Sequence, residues 1–156
     1  MKISASLYSN KTKKIETLTE ELDSVNIDMF HIDFNDKKVT AEKIEDDLRK
    51  IRKVSKTPID LHIISETPSV YKNLIERNKI ERVAFQIENI NEEKFKIPNN
   101  KYTEFGIAVT TNTSIHEFNK YSSYCKYILM MTTTPGESGG DFNLSLIHIS
   151  EPTRPY

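Results

Sequence analysis

The sequence predicts an α/β chain built as an incomplete (β/α)8 TIM barrel, with about six of the eight strands present. Three observations carry this. Short apolar runs alternate with segments of helical periodicity along residues 1–143, and such alternation implies parallel strands joined by right-handed crossovers. No G-x-G-x-x-G follows the first strand, which weighs against an open doubly wound dinucleotide fold, the other architecture that fits. A closed barrel takes about 250 residues and at least about 200, whereas this chain has 156 and its strand count stops at six.

The elements follow in order. "KISASLY" reads as the first strand. Ile15, Leu18, Leu22 and Val25 then recur at helical spacing as one apolar stripe. "MFHIDF" is the second strand. Ile44, Leu48 and Ile51 repeat within the charged "AEKIEDDLRKIRKVS", a surface helix with one buried face. "IDLHIIS" is the third strand, and Thr67-Pro68 opens a third helix with proline at its tolerated first position. "RVAFQIE" and "FGIAVTT" are the fourth and fifth strands. Between them "NINEEKFKIPNN" has room for a single helical turn at most. "SIHE", Ser114 to Glu117, is a capping box for a helix ending near Cys125, and "KYILMMT" is the sixth strand.

Composition narrows the function. The net charge of −1 gives no general attraction to nucleic acid or to an anionic membrane. No apolar run approaches the roughly 20 residues of a bilayer span, and the N-terminus has no signal-peptide core. A single cysteine, Cys125, excludes an internal disulfide framework and suits a reducing cytoplasm. The end, "LSLIHISEPTRPY", resembles through Arg154 the translation of a transposon-end sequencing adapter. Residues 144–156 are therefore expected to be a non-native tail on a single domain of residues 1–143, and His148 is given no role.

One strand carries an unexpected polar pair. Side chains two apart on a strand share a face, so His31 and Asp33 point one way while Phe30, Ile32 and Phe34 point the other. The apolar set is expected under the helices and the polar pair inside the barrel. His62 occupies the equivalent place on the third strand, between Leu61 and Ile63. Two imidazoles and a carboxylate near the C-terminal strand ends suit a divalent metal. Hydrogen-bonded core residues are the plainer alternative, and spacing alone leaves both open.

These same residues resemble the ribulose-phosphate 3-epimerase family. "ISASLYS" is similar to its first-strand serine motif, "FHIDFND" to its histidine-x-aspartate motif, and "IDLHIISETPSVY" to its third-strand histidine segment. "FGIAVTTNTSIHEF" matches the fifth strand and its helix, and "YILMMTTTPGESGGDF" resembles the sixth strand with its glycine-rich lid. The resemblance covers residues 2–143. It implies a ribulose-phosphate-binding (β/α)8 barrel, an isomerase that inverts C3 of a ketopentose phosphate with one divalent metal ion (Zn, Fe, Mn or Co). By position, His31, Asp33 and His62 would be metal ligands, with His62 also near substrate. Asp33 would be one of two catalytic acid/base groups. Ser6 would contact substrate or metal-bound water, and Gly139 and Gly140 would belong to the lid. For Ser6 a small core-facing residue, and for the glycines an ordinary turn, remain alternatives.

The chemistry accounts for these residue types. Removing a proton beside a carbonyl leaves an enediolate, whose charge a bridging cation stabilises as a Lewis acid. Inversion takes the proton from one face and returns it to the other, so two acid/base groups are needed. The resemblance puts the second aspartate, the fourth metal ligand and most of the phosphate site on the seventh and eighth strand units. This fragment is therefore expected to be inactive by itself, while the intact parent, whether monomer or homo-oligomer, would act on a small ketose phosphate in the cytoplasm.

Departures from the family pattern cluster at the mouth. Lys37 replaces a glycine, Asn35 a methionine, and Thr110-Thr111 a pair ending in proline, while the lid is one residue longer. They suggest altered sugar specificity, so a hexulose-phosphate epimerase or a non-catalytic sugar-phosphate-binding barrel competes with the first reading. Related decarboxylase and aldolase barrels carry a lysine where Asn35 stands, which argues against them.

Overall fold

The computed structural model describes residues 2–96, 100–121, 123 and 125–136. Six strands form one parallel sheet in sequential order: β1 (Ser4–Ser6), β2 (Met29–Asn35), β3 (Ile59–Ile64), β4 (Arg82–Gln86), β5 (Glu104–Thr110) and β6 (Tyr127–Met131). Helices α1 (Ile15–Asp23), α2 (Ala41–Val54), α3 (Lys72–Arg77) and α4 (Ile115–Asn119) lie in the crossovers. In a flat sheet, β3 and β6 would stand three spacings, or about 14 Å, apart. Yet the Tyr127 hydroxyl on β6 donates to Asp60 Oδ1 on β3 over 3.4 Å. The sheet is therefore curled, with Tyr127 lying across its concave side, and this is the incomplete barrel that the sequence predicts.

Alternation along the strands sorts the side chains as expected. Phe30, Ile32, Phe34, Ile59, Leu61, Ile63, Val83 and Phe85 form the buried outer face. Against it pack Ile44, Leu48 and Ile51 of α2, Leu18 of α1, and Leu74 and Ile75 of α3. The start of α2 is fixed by Thr40, whose hydroxyl accepts from Lys43 N at 3.3 Å. Glu42 in its first turn and Arg52 and Lys53 in its last complement the helix dipole. Asp47, one turn from Ile44, is buried too, because the Tyr8 hydroxyl donates to it at 2.7 Å and Lys43 pairs with it.

Several boundaries differ from the sequence expectations. β1 is three residues long, and Leu7–Ser9 turns off as a 3-10 helix. Val25 is 67% exposed, because α1 ends at Asp23 and Asn26 takes a left-handed φ of 56°. The α1 end is anchored instead by Asp23, which accepts from Ser55 Oγ (2.9 Å) and Thr57 Oγ1 (2.5 Å). Pro68 begins a 3-10 turn, Pro68–Tyr71, that leads into α3. Two 3-10 turns, Ile87–Asn89 and Glu92–Lys94, fill the connection from β4 towards β5. α4 begins with the Ser114 hydroxyl accepting from Glu117 N at 3.4 Å, but stops at Asn119, well before Cys125. Among the described residues no helix is long and apolar enough to cross a membrane.

Candidate metal centre

Strand register brings the polar residues together. Asp33 pairs with His62 and His31 with Asp60 across β2 and β3, while Ser6 pairs with His31 across β1 and β2. In a parallel sheet paired residues face the same side. Ser6, His31, Asp60 and Arg82 therefore line one layer of the concave face, with Asp33, His62, Ala84, Gly106 and Tyr127 in the layer above. Gly106 has a steric purpose here: a Cβ on it would lie 2.6 Å from the Tyr127 ring. With that space open, the ring stacks on the Arg82 guanidinium, 3.9 Å from its centroid, and floors the site.

The three sequence-predicted ligands converge. His62 Nδ1 lies 2.9 Å and His31 Nε2 3.3 Å from the same oxygen, Asp33 Oδ1. One donor atom from each of the three falls within 4.8 Å of the others. His62 is fully buried, and His31 and Asp33 are mostly so. The opposite ring nitrogens are both held. His31 Nδ1–H donates to Asp60 Oδ2 at 3.1 Å, and His62 Nε2–H donates to Gln86 Oε1 at 2.8 Å. Such outer partners fix the tautomer and leave the inner nitrogen as a lone pair. Both inner nitrogens approach one carboxylate oxygen, so as lone pairs they could share a cation with Asp33. The donor set suits a divalent transition ion.

Without an ion, protons must do this work. Burial opposes a charge on His31, but its hydrogen bonds to Asp33 and Asp60 and their negative charges win, pushing its pKa up to about 9. Burial likewise opposes ionisation of Asp33, yet its hydrogen bonds to His31 and His62, with their charges, hold its carboxyl well below the usual carboxylate range.

Ser6 adds a third feature. Its Oγ is buried and has no hydrogen-bond partner, unusual for a hydroxyl beside a polar cluster. Gly139 and Gly140, expected in the lid, lie outside the described residues, as does His148.

The matching family model, described as the ribulose-phosphate 3 epimerase family, spans residues 2–153. This chain belongs to that family. Membership implies an epimerase, an isomerase of phosphorylated sugars, for the parent protein. No curated protein matches the chain significantly by sequence. The family match includes residues 144–153, part of the stretch that reads as adapter-derived.

Sequence reasoning overlooked two residues of this centre. Asp60 was within reach of the rule that found Asp33, since it lies two positions before His62 on the same face. Gln86 comes from a strand of its own, and no local pattern marks it.

Proposed function

We propose that the parent of this chain is a metal-dependent ribulose-phosphate 3-epimerase that interconverts D-ribulose 5-phosphate and D-xylulose 5-phosphate in the cytoplasm. His31 Nε2, His62 Nδ1 and the Asp33 carboxylate would hold one divalent cation, Zn, Fe, Mn or Co. The observation that carries this reading is the convergence of two anchored imidazole nitrogens on a single carboxylate oxygen. When bound, such a cation stabilises negative charge on vicinal substrate oxygens. Asp33 is ionised and would stand next to the reacting carbon in this reading. It would take the C3 proton on its face in one direction of the reaction and deliver it there in the reverse direction, the opposite-face group doing the converse. Ser6, with its unpartnered Oγ in the same layer as His31, would donate to a substrate oxygen or to metal-bound water. By family resemblance, Gly139 and Gly140, which lie outside the described residues, would belong to the lid over the phosphorylated sugar. The acid/base group for the opposite face belongs, by family resemblance, to a seventh strand, so the 156-residue chain is expected to turn over no substrate by itself. We also place the end of native sequence at Asn143, and a genomic read across codon 143 tests that.

A hexulose-phosphate epimerase is the second reading, favoured by the mouth. Asn35 Oδ1 accepts from Lys37 N at 3.0 Å, and Lys37 pairs with Glu66 at 2.6 Å, which sets a charged loop at the end of β2. Coupled assays of the full-length parent with each sugar phosphate, in the presence of zinc, iron, manganese or cobalt, test both. Turnover of ribulose 5-phosphate supports the first reading. Preference for a hexulose phosphate supports the second. No turnover with any metal contradicts both and leaves a non-catalytic binding barrel.

A further inference from the structure

Gln86 is fully buried, and its two amide atoms are committed to different partners. Oε1 accepts the His62 Nε2 proton at 2.8 Å, while Nε2 donates to Glu88 Oε2. Glu88 is fixed in turn from the end of β5 and the turn after it: its Oε1 accepts from Thr110 N (2.7 Å), from Thr110 Oγ1 (3.1 Å) and from the Thr113 hydroxyl. An ionised carboxylate only accepts hydrogen bonds, whereas an amide has one accepting and one donating end. Glu88 therefore dictates which end of Gln86 meets His62.

We propose that Glu88 and Gln86 form a positioning relay that selects the ligating tautomer of His62. With Glu88 claiming the amide NH2, the Gln86 carbonyl faces His62 and keeps its proton on Nε2. The Nδ1 lone pair is then left towards Asp33 and the cation. The relay rests on the metal reading given above and extends it. It makes a residue at the rim, which touches neither the ligand atoms nor the ion's place, a determinant of metal affinity.

The logic predicts an asymmetry between substitutions. In Glu88→Gln the new amide still offers its carbonyl to Thr110 N–H, so it turns its NH2 towards Gln86. Gln86 must then reverse and present its own NH2 to His62. The His62 proton moves to Nδ1 and blocks the cation. Exchanging the two residues, Gln86→Glu with Glu88→Gln, puts a carboxylate at 86 that accepts from both sides. It restores the Nε2–H tautomer with composition and net charge unchanged.

Two measurements on the full 156-residue chain test this. One is cobalt(II) affinity by competition with a chromophoric chelator; the other is ring-15N NMR of His62. In the zinc-loaded unsubstituted chain His62 is expected to carry its proton on Nε2, whereas without an ion Nδ1 can donate to Asp33. Glu88→Gln is expected to lower cobalt affinity by about 10-fold or more, the usual range for an outer partner of a ligating histidine, and to show Nδ1–H. The exchanged pair is expected to regain affinity within a few-fold. Because the NMR reading needs no substitution, the proposal stays testable if a variant misfolds. A zinc-loaded unsubstituted chain whose His62 lacks the Nε2 proton, unchanged affinity in Glu88→Gln, or no recovery in the exchanged pair overturns the relay while the metal reading stands. Failure of the unsubstituted chain to bind cobalt overturns the metal reading and the relay with it.

Discussion

The outer face of β2 and β3 and the outer face of β6 obey the same alternation and end in different states. Phe30, Ile32 and Phe34, with Ile59, Leu61 and Ile63, are 0% exposed. Ile128 and Met130, the outward residues of β6, are 44% and 36% exposed. The difference lies in what covers them. α1, α2 and α3 pack on the first region, whereas Ile128 and Met130 join neither described core cluster. Period-two patterning thus decides which way a side chain points, whereas burial depends on the crossover helix over it. The proposed metal ligands all stand on β2 and β3, so the candidate centre sits on the best-packed part of the sheet, where rotamers are held from behind.

The largest effect expected from breaking this comparison is at the centre itself. Asp33→Ala and His62→Ala each remove one of the three proposed ligands, and cobalt affinity is expected to fall by roughly 100-fold or more by titration. Loss of under about 3-fold would mean the ion sits elsewhere.

Next comes the packing behind the centre. Ile63→Ala on the covered face is expected to cost about 2–5 kcal/mol in urea unfolding, the usual range for a buried isoleucine. Ile128→Ala on β6 is expected to stay within about 0.5 kcal/mol, as for exposed sites. Equal costs at the two positions would erase the distinction between the regions.

A cap refines it further. Thr40→Ala should cost about 1 kcal/mol by loss of the α2 N-cap, measurable by the same unfolding. No change would mean that packing of Ile44, Leu48 and Ile51 alone sets where α2 begins.

The pH dependence has a sign. In the metal-free chain His31 is raised from 6.5 to about 9. Its stabilising contribution is present in full below pH 6.5 and is lost as the pH rises through about 9. Asp33 is lowered, so its contribution holds above its ordinary 3.8 and disappears only in stronger acid. The metal-free denaturation midpoint should therefore decline between pH 6.5 and 9. With zinc it should climb over the same window, because the ion displaces the His31 proton and binds tighter as that proton is lost. Parallel curves with and without zinc would separate His31 from the metal.

Much of this was legible in the sequence because strand periodicity is local. His31, Asp33 and the outward Phe30, Ile32 and Phe34 follow from the two-residue repeat alone. The pairing of Asp33 with His62 depends on register, which the motif order suggested and spacing could not fix. Helix ends were less legible. Val25 continues the apolar repeat of α1, yet the chain leaves the helix at Asp23, where hydrogen bonds from Ser55 and Thr57 hold it. The partners of the ligands were least visible, since Gln86 meets His62 only through the curl and register of the sheet.

The central claim is that two imidazoles and the Asp33 carboxylate share one cation. X-ray absorption on the zinc-loaded 156-residue chain tests it most directly. Two imidazole nitrogens at about 2.0–2.1 Å with oxygen at about 2.0–2.2 Å, one imidazole fewer in His62→Ala, is the predicted result. A zinc shell of water oxygens alone, or one that His62→Ala leaves unchanged, would contradict it.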